Sequence, residues 1–480
     1  WALRWPPVVV DDQTVRVPTP WPHTVSTDVL AVGAVLAGGW FAATAYTSLS
    51  SNAQLHWWTL SALAAGTGLV LIQGLAFGRP LTTGHVALAL AAGVLAVRAH
   101  LAGNAIGAYA AALGAATVLV WPTGADAEPG ALPQVWALVD RTRGDPLAPF
   151  AMDRQKRYLF APGNAAAVAY RVRAGFGVVG GDPIGDPSAY RDVVVAFLTL
   201  CRAQGWRPLI LAASPRCAAL WRYQEPGFWA VPIGRDIVVD VTTFSLDGRS
   251  KRNLRQAVNR THNAGITTAV IAESDVDPGL RAELMDVARV SKNSIDTTRG
   301  FSMMLDGTLT GRYPGTLLIV ARDRAGVVQA FHRYVTAGGG SEVSLDLPWR
   351  RPGAPNGTDE RLTVDMISWA KHHGGQRLSL AFAPFPGVFA EGRAGPATRV
   401  VRMLLHAMDG LIKLESLYRY LSKYDALGQR RYVLLERIDL LPALAVLLTL
   451  EFSPHQVDRV SAPPVRANPL DRASRSMKGV

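Results

Sequence analysis

The chain has 480 residues, 49 Lys and Arg against 37 Asp and Glu, a formal net charge of +12, and two cysteines, Cys201 and Cys217. That length allows roughly two to four domains, and two cysteines exclude a disulfide-stapled scaffold; each reads as a small buried apolar residue in a reducing compartment rather than a nucleophile. The positive balance calls for an anionic partner (nucleic acid, anionic lipid or both) and is silent on fold.

Residues 1–24 form a polar tail, and residues 27–121 are almost free of charge. The pattern predicts about four apolar helices, 27–47, 56–77, 81–97 and 101–121, each near the ~20 residues needed to cross a bilayer, with the third marginal. Gly and Ala are frequent, as in closely packed membrane helices, and Trp57, Trp58 and Trp121 stand at proposed ends where aromatic anchors are favoured. A buried soluble hairpin is the plainer alternative, but four such runs would leave too little polar surface. The runs repeat behind a polar stretch, unlike a cleaved signal. With four spans, Arg4, Arg16, Arg79, Arg141 and Arg143 fall on one side and Arg98 on the other. The positive-inside rule then makes this a multi-pass plasma-membrane protein with a cytoplasmic C-terminal part.

Residues 123–150 read as a Gly/Pro/Asp-rich linker. Beyond it the pattern alternates: strands 158–160, 166–171 and 175–180, helix 189–204 and strand 208–212. A basic helix follows at 249–264, then helix 278–291, strands 316–322, 327–334 and 342–347, helix 362–373 and a strand-like run from 377 to 382. Two strand–helix cycles of similar size predict two α/β lobes, 151–245 and 246–455, before a disordered tail at 456–480. Residues 440–450 are apolar but too short to span a membrane, and read as a core or interfacial helix. Between 344 and 351 the chain runs Ser-Leu-Asp-Leu-Pro-Trp-Arg-Arg. There Asp346 and Arg350, a carboxylate and a guanidinium at a strand end beside a turn, are candidates to meet a charged substrate.

Several motifs in order resemble the synthase domain of the lysylphosphatidylglycerol synthases, also called the multiple peptide resistance factors. They are Gly180-Gly181-Asp182-Pro183-Ile184-Gly185, Gly300-Phe301-Ser302, Ser344-Leu345-Asp346-Leu347, Ala354-Pro355-Asn356-Gly357, Ser368-Trp369-Ala370-Lys371, Ala383-Pro384-Phe385-Pro386-Gly387 and Ser416 through Tyr424 with Arg431-Tyr432 after it. The resemblance spans about residues 153–436. It implies tandem acetyltransferase-type (GNAT-like) lobes, an α/β fold, behind the transmembrane helices. It also implies transfer of lysine or alanine from aminoacyl-tRNA to a hydroxyl of phosphatidylglycerol, which lessens attraction of cationic antimicrobial peptides. The implied partners are aminoacyl-tRNA, phosphatidylglycerol and the membrane, with a homo-oligomer left open and no cofactor beyond the tRNA-borne donor. Two departures stand out. The family's Asp-Leu-Met-Arg is Asp346-Leu347-Pro348-Trp349 here, with Arg350 one place late unless a bulge restores it, and Thr298 stands where the family has Glu. A non-catalytic, membrane-tethered lipid- or protein-binding module with a degenerate site is therefore the alternative.

An aminoacyl ester is already activated, so transfer needs a positioned hydroxyl, a proton route and oxyanion stabilisation. Asp346 is the candidate to hold the donor's ammonium, or to act as base. Arg350 and Lys423 are candidates for lipid phosphate or the tRNA terminus, and His332 for a proton relay. Arg252 and Arg255 share a helix face with Asn259 that could follow phosphates, and Tyr420 and Arg431 complete the substrate-binding candidates. Each is otherwise a solvated charge or a satisfied half-buried side chain. For coenzyme A, the nearest phosphate-cradle match, Arg173-Ala174-Gly175-Phe176-Gly177, is one residue short. No metal-ligand cluster and no Walker-type loop is present.

Overall fold

The computed structural model describes residues 83–119, 121–291, 304–384, 422–424 and 426–451. It opens with two apolar helices, α1 (Thr83–Leu101) and α2 (Ala105–Leu119), packed as a hairpin across a short turn at Gly103, whose φ of +74° suits glycine. Within α1, Gly84–Leu101 is long and apolar enough to cross a membrane, and only 11% of that window is buried. α2 has 15 residues, short for a span. Of the four expected transmembrane helices, the described residues hold one candidate span and one shorter apolar helix; the runs at 27–47 and 56–77 lie outside them.

The stretch read as a linker folds instead. Pro133 starts helix α3 (Leu132–Val139), which buries Leu132, Val135, Leu138 and Val139 along one stripe. Residues 145–152 are all buried behind it. The apolar residues were there to see, but Pro and Gly around them masked the period.

Among the described residues, twelve strands make one sheet: β1 (Arg157–Phe160), β2 (Ala166–Arg173), β3 (Phe176–Gly180), β4 (Ile184–Gly185), β5 (Arg207–Ala213), β6 (Phe228–Asp240), β7 (Thr267–Ala272), β8 (Thr316–Arg322), β9 (Val328–Ala337), β10 (Glu342–Arg350), β11 (Arg377–Pro384) and β12 (Leu427–Glu436). Their order is β1-β2-β3-β5-β12-β6-β11-β10-β9-β8-β7, with β4 beside β2. Pairing is antiparallel except at β3/β5 and β10/β11. A parallel pair needs a crossover, and these use α4 (Tyr190–Gln204) and α8 (Thr358–His372). The two predicted α/β lobes are therefore present, each built around one parallel pair. β12 pairs with β5 on one side and β6 on the other, so the two lobes share a continuous sheet.

One sheet face carries α3, residues 145–152, α7 (Pro278–Val290) and α9 (Leu440–Glu451), packed on Val178, Leu209, Phe331, Val335, Val433 and Leu435. The other carries α4 and α5 (Pro215–Gln224) over the first lobe, and α6 (Arg252–Asn263) with α8 over the second. The glycine-rich run at 173–177 is the β2–β3 hairpin turn, with Arg173 opposite Phe176 and Ala174 and Gly175 at positive φ. It is a connection, not a phosphate cradle.

Candidate active site

The most charged point of the interior lies where the two lobes meet. On β12, Arg431 alternates with Val433 and Leu435 and so turns its guanidinium to the α3 face. Its Nε donates to Asp236 Oδ2 at 2.8 Å and its Nη2 to Asp145 Oδ1 at 2.7 Å, while Nη1 lies 3.7 Å from Asp182 Oδ2. Nη1 also donates to the Ala212 carbonyl, a residue held at φ +64°. The Leu147 N–H donates to Asp145 Oδ1 and the Ser214 N–H to Asp182 Oδ1. Three ionised carboxylates around one guanidinium would leave two negative charges unmatched in a place largely shielded from water. Burial accordingly pushes the Asp182 carboxyl up to about 6, helped by the charge of Asp145 and opposed by Arg431 and Ser214. Burial likewise raises Asp236. One oxygen stands apart: Asp145 Oδ2 is buried without a hydrogen-bond partner, an arrangement that costs free energy unless something answers it.

The parallel ladders place these groups. The β3/β5 ladder ends at Gly180↔Leu211, and Asp182 follows two residues later. The β10/β11 ladder ends at Ser344↔Ser379, and the Ser344 hydroxyl donates to the Pro146 carbonyl, one residue from Asp145. The segment after α3 is thus wedged where both parallel pairs end.

Asp346 occupies the same sheet face but is engaged from within. It is the extra residue of a β-bulge between Leu345 and Leu347 on β10. Its Oδ2 accepts from Arg333 Nη1 at 2.8 Å and its Oδ1 from the Leu305 N–H at 3.1 Å. Arg333 Nη2 reaches Glu273 Oε2 at 3.1 Å, and all three side chains are fully buried. With two carboxylates on one guanidinium, burial raises Asp346 to about 6 against the pull of Arg333 and the Leu305 N–H. The same partners hold Arg333 charged despite its burial.

The bulge also separates residues expected together. His332 follows Phe331 and precedes Arg333 on β9, so it faces the opposite side, toward α6 and α8. There His332 Nε2 lies 3.3 Å from Asp359 Oδ1, and Arg350 Nη1 lies 3.1 Å from Asp359 Oδ2. Lys423 Nζ meets Glu360 Oε1 at 2.6 Å. Burial pushes the Asp359 carboxyl up, but the His332 hydrogen bond and the charges of His332, Arg350 and Lys423 outweigh it and leave it below the usual range. Asp346 and Arg350 therefore do not form one site, which corrects that expectation: a bulge is present, but it sends the two side chains to opposite faces. His332, Arg350 and Lys423 do converge, on the first turn of α8. Arg252 is exposed on α6, while Arg255 turns back to donate to the carbonyls of Leu246 and Gly248. Tyr420 lies outside the described residues. Arg431, expected among the substrate-binding residues, is buried and is the pivot on which Asp145, Asp182 and Asp236 meet. Asp145, Asp236, Glu273 and Arg333 carried no sequence signal, since their partners are distant along the chain.

The comparisons with known proteins decide the family. The model of "Phosphatidylglycerol lysyltransferase, C-terminal" matches residues 136–435. The chain belongs to this family. It is 49% identical over 405 residues to the MprF-like domain protein Rv1619 of Mycobacterium tuberculosis, covering 83% of each. To the lysylphosphatidylglycerol biosynthesis bifunctional protein LysX of Mycobacterium avium it is 38% identical over 308 residues, 63% of this chain but 26% of that one. Among solved structures it is similar to L-PGS from Bacillus licheniformis, with TM-score 0.59 and 20% identity over 69% of this chain and 99% of that one. It is also similar to the C-terminal DUF2156 domain of a protein from Agrobacterium fabrum, with TM-score 0.58 and 22% identity over 68% and 98%. These likenesses bear out the resemblance read from the motifs. The phosphatidylglycerol lysyltransferase family is one of membrane-associated transferases of lipid metabolism. Its matched region begins inside α3 and ends within β12, so the acid-rich junction lies wholly within it.

Proposed function

We propose that this chain moves an amino acid, lysine or alanine, from aminoacyl-tRNA to a hydroxyl of phosphatidylglycerol. In that reaction the lipid hydroxyl oxygen bonds to the ester carbonyl carbon. The bond from that carbon to the terminal ribose oxygen of the tRNA breaks, and the hydroxyl proton passes to the ribose oxygen. The donor already stores the energy, so the protein's work is positioning and charge placement.

The single observation that carries the reading is the partnerless Asp145 Oδ2 inside a cluster with excess negative charge. An aminoacyl donor brings an α-ammonium, and a lysyl donor two ammonium groups, each a natural counterpart for such an oxygen. Asp182 and Asp236 supply the further negative charge, and Arg431 fixes the geometry of all three carboxylates. In this assignment Asp346 acts at one remove: through Leu305 and Arg333 it holds in place the segment 304–313 that borders the same face. The exposed Arg252 on α6 supplies positive charge for the phosphates of tRNA or lipid.

Lipid extracts of cells with and without the gene test the proposal. An aminoacylated phosphatidylglycerol that disappears on deletion and returns with the intact chain is the expected result. An unchanged lipid profile would favour the tethered binding module instead.

A further inference from the structure

The last helix among the described residues, α9, is apolar around nearly its whole circumference, yet only one side of it is covered. Ala443, Val446 and Leu450 of α9 pack into the core with Leu132 and Val135 of α3. The other side presents Leu441 at 77% exposure and Leu444 at 44%, with Ile438 at 83% just before the helix. Trp229, opposite Leu435 in the β6/β12 ladder, adds a half-exposed ring on the same sheet face. A helix of a water-facing surface carries polar residues on its outer stripe; a contiguous apolar patch there marks a contact.

The way the chain enters the folded body identifies what covers this patch. The α1–α2 hairpin ends at Leu119, and four residues later Thr123 is fastened down: its carbonyl accepts from Trp206 Nε1 at 2.9 Å and its hydroxyl lies 3.4 Å from Gln204 Oε1. The next residue after Trp206 is Arg207, whose Nη1 pairs with Asp439 Oδ1 at 2.6 Å, and Asp439 immediately precedes α9. Trp206 packs into the α4/α5 core while Arg207 turns to the α9 face, so the apolar hairpin, with its largely uncovered bilayer-length helix, leaves the body at the end of the sheet where α9 begins. Four extended residues reach no farther than about 14 Å.

We infer that the outer face of α9, with Ile438 and Trp229, docks on the bilayer surface next to the point where α1 and α2 leave it. The helix lies in the interface rather than across it, since its 12 residues are too few to span. A protein so held has a second contact with the membrane besides its tether, which fixes how the sheet stands over the lipid. This inference does not depend on turnover.

The test uses the full chain in vesicles of phosphatidylcholine and phosphatidylglycerol. Leu441→Cys and, separately, Leu444→Cys carry an environment-sensitive fluorophore; Cys201 and Cys217 are buried and stay unlabelled. Lys371→Cys, at the exposed end of α8, is the reference. The expected result is blue-shifted emission at 441 and 444 and quenching by doxyl-labelled lipid several-fold stronger than at 371. Emission and quenching equal to those at 371 would overturn the inference. So would a blue shift that grows with protein density and ignores doxyl lipid, because a second copy of the chain would then cover the patch. Both replaced leucines are exposed, so each variant retains the core packing.

Discussion

At the residue scale, the molecule concentrates unmatched charge in places largely shielded from water. Asp182 and Asp346 each sit near 6 instead of the usual 3.8, chiefly from burial. A carboxyl that holds its proton more tightly when folded than when unfolded stabilises the fold fully below the unfolded value. That contribution is lost as pH rises through the folded one. Stability is therefore expected to fall between about pH 4 and pH 6 on account of these two groups. Asp182→Asn removes one of them, so a plot of denaturation midpoint against pH should be flatter over that window than for the parent chain; an unaltered slope would contradict the assignment. A bound ammonium would act the other way, keeping the carboxylates ionised. What the sequence offered at this scale was uneven. Asp182 and Arg431 lay inside recognisable motifs, but their meeting did not, because Arg431 reaches across 286 residues to Asp145. Asp346 was visible as an odd acid in an apolar strand; its true neighbour Arg333 looked like any strand arginine.

At the scale of elements, glycines and bulges decide which side chains share a face. Gly357 has φ +102°, and a Cβ there would lie 2.6 Å from the Ala257 carbonyl oxygen of α6. It lets α8 begin against α6, and so sets Asp359 and Glu360 where Arg350 and Lys423 find them. Gly357→Ala is expected to destabilise the protein by about 1–3 kcal/mol through both positive φ and the close approach, read as a lower thermal midpoint; a midpoint within experimental error of the parent would refute that account. The Ala-Pro-Asn-Gly turn was plain in the sequence, as were most strands and helices, because period-2 and period-3.6 patterns survive in this half-buried sheet. The bulge was not legible in position: it falls at Asp346, two residues before the proline suspected of making it. β6 and β12 were missed because Pro232 and the basic run at 430–431 interrupt their alternation.

At the scale of the whole molecule, a strand from the end of the described chain closes the sheet between two halves that each resemble a complete unit. That return strand brings Arg431 to the acids of the first half and of β6, so the lobe junction and the candidate site are one structure. No local reading could foresee it: β12 lies more than 180 residues from both of its neighbours along the chain. The apolar beginning, the basic balance and the two lobes were legible. The chemistry rests on what the lobes enclose together. The most direct measurement is single-turnover transfer by the full chain in phosphatidylglycerol-containing nanodiscs, supplied with lysyl-tRNA or alanyl-tRNA, for the parent and Asp145→Asn. Losing a charge-assisted contact to the donor ammonium is worth about 1.5–3 kcal/mol, so the variant should turn over roughly 10- to 100-fold more slowly. Equal rates for the two proteins, or no aminoacylated lipid from either donor, would contradict the account.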